Sequence, residues 1–194
     1  MKKIKNIEQL TDNKWLNLYS AHYEKENGDD FVYYFASRRK DDDLIINGSQ
    51  KLDAVRILPY YKKDGKTYIV LIKEFRHALN QYIYSTPAGL IDIGESPEQA
   101  AVREVAEEIG ATVVNLVLAQ KGAFSSAGLT DEKIMVFNAE VVLDKHQKLE
   151  DSEDITFFSI PFKDILSFVD SNNFGMQSAL HLKMFYYKNA NEME

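Results

Sequence analysis

Runs of apolar and aromatic residues, broken by polar turn signals, set out the first half of the chain as strands. Residues 15–23 and 31–37 read as two strands. Between them the polar stretch 24–30 carries Asn27-Gly28, a tight-turn signal. The charged residues 38–43 and then Asn47-Gly48 follow, and a boundary is expected there. It leaves residues 1–48 as an N-terminal antiparallel β extension and 49–194 as the main domain. Residues 52–61 and 68–75 read as the next strands, joined by a turn at Asp64-Gly65. Ile69, Val70, Leu71 and Ile72 form an unbroken apolar run, as in a strand covered on both faces. Loop and short extended segments are expected from there to Glu95.

A helix is well signed next. Ser96 is placed as its N-cap, Pro97 at the first helical position, Gln99 as the partner in a capping box and Gly110 as its C-terminal stop. Residues 113–119, 134–143 and 155–160 read as strands. Residues 162–169 and 176–187 read as helices, the latter with Leu180, Met184 and Tyr187 along one face. Strands, one helix, strands and terminal helices in that order predict an α/β sandwich with a mixed sheet, rather than a doubly wound parallel one.

Composition narrows the function. At 194 residues with 45% hydrophobic positions, the chain has enough apolar material for a sizeable core. No apolar run approaches the roughly 18–20 residues of a membrane helix. The basic start Met1-Lys2-Lys3-Ile4-Lys5 has no apolar segment behind it and does not read as a signal peptide. Cysteine is absent, which excludes disulfides, thiolate metal sites and a cysteine nucleophile and fits a reducing, cytoplasmic location. The formal net charge of −7 opposes general nucleic-acid binding. An acidic chain acting on a phosphorylated substrate needs a cation as bridge; the same acidity by itself is accounted for by solubility alone.

Glu104, Glu107 and Glu108 are spaced i, i+3, i+4 on the predicted helix and share a face. Three carboxylates so placed repel one another unless a cation lies between them. Oxygen-only ligands select hard ions such as Mg²⁺ or Mn²⁺. Arg103 is four residues before Glu107 and is placed to hold that carboxylate. Ala100, Ala101, Val105 and Ile109 are expected to pack on the core from the other face. Taken alone, the triplet reads more simply as a solvated acidic face. The fixed offsets of Gly89, Glu95, Arg103 and Gly110 change that weighing. Seven specified positions, each matched by chance about once in 10–20, give a coincidence rate on the order of one in 10⁸ per start site.

Residues 89–111, running glycine, five residues, glutamate, seven residues, then Arg103-Glu104-Val105-Ala106-Glu107-Glu108-Ile109-Gly110-Ala111, resemble the Nudix box. Only the final position, Ala111, departs from a larger aliphatic residue. The resemblance implies a Nudix fold, an α/β/α sandwich with a mixed sheet. It also implies hydrolysis of a phosphorus-containing acid anhydride with Mg²⁺, or alternatively Mn²⁺. It makes Glu104, Glu107 and Glu108 the metal ligands, with Glu95 and the carbonyl of Ala88 as additional contributors. Gly89 would shape the loop before the helix, and Arg103 would support the cluster.

Beyond the box, Lys73-Glu74-Phe75-Arg76 and Thr86-Pro87-Ala88-Gly89-Leu90-Ile91-Asp92 look like the ADP-ribose and nucleotide-sugar pyrophosphatase branch. By that likeness Arg76 contacts substrate phosphate or sugar; the plain alternative is a surface arginine paired with one of many acids. Residues 124–132 resemble the loop after the box, with Gly128 and Glu132 as substrate-side candidates. Ala127 stands where many ADP-ribose hydrolases carry proline, which leaves the sugar open. A general base is expected from residues 148–154, Glu153 before Glu150, against the alternative of a solvated acidic loop. The resemblance further implies a homodimer with the N-terminal strands at its interface; their dense aromatics suit an interface and equally suit ordinary strand packing. Other Nudix substrates (triphosphates, dinucleoside polyphosphates) and a non-catalytic nucleotide-sugar-binding module are the rival readings.

Overall fold

In the computed structural model, residues 3–193 are described; Met1 and Lys2 of the basic N-terminal run lie outside them. The chain divides into two units, Met1–Asp53 with Gly122–Ile134, and Ala54–Lys121 with Met135–Glu194.

The first unit holds a three-stranded antiparallel sheet of β1 (Lys3–Gln9), β2 (Asn17–Glu24) and β3 (Asp30–Ser37), in that order. The turn between β2 and β3 is closed by Gly28 at φ 87°, the left-handed geometry that Asn-Gly predicts. Tyr19, Ala21, Phe35 and Leu44 form its core, with Tyr19 and Phe35 stacked at 5.4 Å. The charged stretch after β3 is not a solvated linker. Arg39 is buried and forks onto Asp53, with Nε and a terminal nitrogen 2.8 and 2.7 Å from the two carboxylate oxygens. Asp53 also accepts the Lys133 N–H at 2.7 Å, tying in residues 122–134.

The second unit contains β4 (Ala54–Lys63), β5 (Lys66–Arg76), β6 (Gln81–Ser85), β7 (Ala88–Leu90), α1 (Pro97–Ile109), most of β8 (Ala111–Phe124) and of β9 (Lys133–Leu143), whose ends from residue 122 and up to residue 134 belong to the first unit, then β10 (Ile155–Pro161), α2 (Ile165–Ser171) and α3 (Met176–Met193). The strands make a seven-stranded mixed sheet of order β10-β5-β4-β9-β8, with β6 paired to β5 and β7 to β4. Alternation along β5 explains its unbroken apolar run. Val70 and Ile72 point to the α1 side, among Val55, Ile57, Ala101, Val105 and Ile109. Ile69 and Leu71 point to the opposite side, among Phe162, Ile165, Leu182 and Phe185. Each fully buried aliphatic side chain there contributes roughly 1.5–3 kcal/mol. The expected α/β/α sandwich is therefore present, and the N-terminal antiparallel strands precede it.

The differences from the expected elements have physical reasons. β1 was not expected: its side chains are mostly polar and exposed, and it is held by pairing with β2. β6 and β7 are too short to show a period. In α3 the stripe of Leu180, Met184 and Tyr187 is the exposed face, whereas Leu182 and Phe185 supply the buried contact. Among the described residues no helix is long and apolar enough to cross a membrane.

Candidate active site

Helix α1 begins where its sequence dictates. Ser96 Oγ accepts the Gln99 N–H at 3.2 Å and Gln99 Oε1 accepts the Ser96 N–H at 2.8 Å, a complete capping box worth about 1 kcal/mol. Gly110 ends the helix at φ 60° in the left-handed region.

The three box glutamates do not share a solvent face. Glu104 and Glu108 lie on the buried flank with Ala100, Ala101 and Val105, at 6% and 3% exposure, and only Glu107 reaches partly into solvent. The helical period places 104 and 108, one turn apart, between the small alanines and Val105. Ala100, Ala101, Val105 and Ile109 pack on the core as expected, and the two glutamates share that flank with them.

Arg103 organises one part of the cluster. Its Nε and one terminal nitrogen donate to the two oxygens of Glu95, both at 3.0 Å, and that nitrogen also reaches the Leu90 carbonyl at 2.8 Å. The other terminal nitrogen donates to Glu104 at 2.7 Å and Glu107 at 3.1 Å. The expected Arg103–Glu107 link is one arm of a larger hub. Hydrogen bonding to Arg103 holds the Glu95 carboxyl below the usual glutamate range. Gly89 is needed beside this hub, because a methyl group built on it overlaps the Glu104 carboxylate.

The second part is a cleft of about 330 Å³ lined by Glu74, Arg76, Ala88, Glu108 and Glu153, among others. The Ala88 N–H donates to Glu108 at 3.2 Å, which ties the strand that precedes the box to this carboxylate. The turn before Ala88 is locked by a buried polar network that the sequence did not signal. Arg56 donates to Ser178 at 2.6 Å, Ser85 at 3.0 Å and the Thr86 carbonyl at 3.2 Å. Burial pushes the Glu108 carboxyl well above the usual range, and repulsion from Glu104, Glu74 and Glu153 adds to it. Glu104 is raised too, chiefly by burial, despite its bond to Arg103. Glu153 reaches the cleft from the loop before β10 and accepts the Glu150 N–H at 2.9 Å, whereas Glu150 is exposed. Arg76 is half exposed, with one terminal nitrogen 3.0 Å from Glu74 Oε1.

Gly128 and Glu132 belong to the first unit. There the Gly128 carbonyl accepts Tyr33 Oη at 2.7 Å, and Glu132 lies 3.6 Å from Arg38.

Among the described residues no three acidic or imidazole side chains stand gathered as a closed ligand set, since Glu104 and Glu107 turn to Arg103. The donor chemistry nevertheless fits a hard divalent cation. Every candidate donor is oxygen, Glu108 is buried among like charges, and Glu74 Oε1 is buried without a hydrogen bond.

Residues 50–178 match the family model described as NUDIX domain, and the chain belongs to the Nudix family. It is an enzyme, a Nudix pyrophosphatase acting on acid anhydrides in phosphorus-containing compounds. It is 32% identical to an ADP-ribose pyrophosphatase of Bacillus subtilis over 166 residues, covering 84% of this chain and 80% of the relative. It is also 32% identical to an ADP-ribose pyrophosphatase of Saccharomyces cerevisiae, over 80% of this chain and 68% of the relative. A putative nudix hydrolase 2 of Caenorhabditis elegans is 29% identical over 90% of this chain and 80% of its own. A crystal structure of an ADP compounds hydrolase superposes with a TM-score of 0.74 at 20% identity, over 97% of this chain and 95% of that one, a likeness of fold.

Proposed function

We propose that this enzyme hydrolyses the pyrophosphate bond of a nucleoside diphosphate sugar, ADP-ribose or a close analogue, with Mg²⁺ or alternatively Mn²⁺. The products are a nucleoside monophosphate and a sugar phosphate. The observation that carries the reading is the buried Glu108, facing Glu74 and Glu153 in a cleft with Arg76. The relatives named as ADP-ribose pyrophosphatases support the substrate class.

Glu104, Glu107 and Glu108 are the proposed ligands, with Glu95 and Ala88 supporting them. A divalent cation held there would supply positive charge against the diphosphate and favour deprotonation of water. Arg76 binds a phosphate oxygen and orients the diphosphate. Glu153 accepts the proton of the water as its oxygen bonds to one phosphorus. The anhydride P–O bond breaks and the monophosphate leaves. Arg103 keeps Glu95, Glu104 and Glu107 in register.

Turnover of a panel tests this reading: ADP-ribose, GDP-mannose, UDP-glucose, NADH, a diadenosine polyphosphate and deoxynucleoside triphosphates, with and without Mg²⁺. Metal-dependent turnover led by a nucleotide sugar is expected. Turnover of triphosphates or dinucleotides alone removes the substrate class, and binding without turnover makes the chain a sensor module.

Residues 1–48 are the proposed dimerisation element of a cytoplasmic homodimer. Support comes from the exposed Trp15, Leu16, Leu18 and Tyr34 on or beside its sheet, and from the absence of cysteine. Light scattering is expected to give twice the chain mass; a single-chain mass removes the dimer.

A further inference from the structure

Glu74 lies outside the carboxylate helix, and the sequence motif assigns it nothing. Its place follows from the pleat of β5. Val70 and Ile72 point to the α1 side, and Glu74 is next in that row. β5 therefore continues its apolar row directly into a carboxylate beneath the helix that carries Glu108. Both residues line the same cleft, with Glu153.

Burial of this side chain is only partly offset within the protein. Glu74 is 7% exposed, and its Oε1 makes no hydrogen bond. Arg76 brings a terminal nitrogen within 3.0 Å of that oxygen, outside hydrogen-bond geometry, and the Arg76 side chain is itself half exposed. The other acidic side chains that line the cleft with Glu74 are Glu108, Glu153 and Asp154, none of which offers it a counter-charge. A buried carboxylate is stable when it is paired and hydrogen-bonded or when it coordinates a metal. The ion pair with Arg76 meets only part of that need.

We propose that Glu74 is a further ligand for the divalent cation in this cleft, supplied by β5 opposite the carboxylate helix. The cation is then held between two elements, helix and sheet, rather than along one helix face. Its binding draws β5 and α1 onto one charge and satisfies the oxygen that the protein leaves without a hydrogen bond. This inference rests on the reading of Glu108 as a ligand, and the test separates the two.

Mn²⁺ binding to the full chain, followed by the electron paramagnetic resonance signal of the free ion, is compared for wild type, Glu74→Gln and Glu108→Gln. Glutamine keeps the shape of Glu74 and removes its buried charge, so the metal-free variant is expected to melt no lower than wild type. Its Kd for Mn²⁺ is expected to rise at least tenfold, with a smaller thermal stabilisation by the ion. A Kd within twofold of wild type for Glu74→Gln, while Glu108→Gln has lost the ion, overturns the inference and leaves the proposed function standing. A lower metal-free melting temperature with unchanged Mn²⁺ affinity also overturns it, because Glu74 is then the structural partner of Arg76. Wild-type protein that binds no Mn²⁺ overturns both readings.

Discussion

Replacing Glu108 with glutamine is expected to lower kcat by on the order of 10³-fold while leaving the metal-free protein at least as stable as wild type near neutral pH. The two effects share one cause. Glu108 is buried beside Glu104, Glu74 and Glu153, so its charge is costly to the empty fold and useful only against a cation. Its carboxyl binds a proton more tightly in the folded chain than in the unfolded one. The stability this contributes is fully present below the ordinary glutamate value of 4.5 and is lost as pH rises through the raised folded value. Metal-free wild type is thus expected to lose stability from this group on going from acid towards neutral pH, and the variant to lose none from it. Glu95 runs the other way. Its carboxyl is depressed by Arg103, so its contribution is present above the ordinary value and lost as pH falls through the folded one. Comparing variant with wild type in chelator at pH 4.5 and pH 8 reads Glu108 against a background in which Glu95 is common to both. Near-wild-type turnover in folded Glu108→Gln protein would sink the ligand assignment.

Gly89→Ala is expected to be the next most damaging change, about 100-fold in kcat, because a displacement of about 1 Å at such a site has that effect. The added methyl occupies the space of the Glu104 carboxylate, which Arg103 holds at 2.7 Å. The atoms it meets are the far end of the Glu104 side chain, which is expected to swing aside and in doing so to leave Arg103, disturbing the hub that also fixes Glu95 and Glu107. A melting temperature lowered by a few degrees is expected alongside, read by differential scanning calorimetry. Unchanged kcat would mean that the position of Glu104 is not critical.

The capping box and the stop at Gly110 were legible because caps act within a few residues of the chain, and the box spacing was legible because helix geometry fixes it. The two faces of β5 were legible in its apolar run. The hidden parts depend on contacts distant in sequence. β1 has too little apolar character to be read alone and exists by pairing with β2. The helix period gave α3 an apolar stripe, yet packing against the sheet chose Leu182 and Phe185 rather than Leu180 and Met184. Burial of Glu104 and Glu108 was likewise invisible until α1 met the sheet. Glu74 did leave a signal, the pleat of Val70, Ile72 and Glu74, but its importance shows only when Glu108 stands opposite. The Arg56–Ser178 bond joins residues 122 apart in sequence and had no local sign.

The proposed activity is metal-dependent cleavage of the diphosphate in a nucleotide sugar. It is tested most directly by ³¹P NMR of ADP-ribose and the other nucleotide sugars of the panel, incubated with wild-type protein and with Glu108→Gln, with and without Mg²⁺. The expected result is loss of the two diphosphate resonances and growth of two monophosphate resonances, only with wild type and only with the metal. Intact diphosphate in every nucleotide sugar, with folded wild-type protein and either Mg²⁺ or Mn²⁺, would contradict the account.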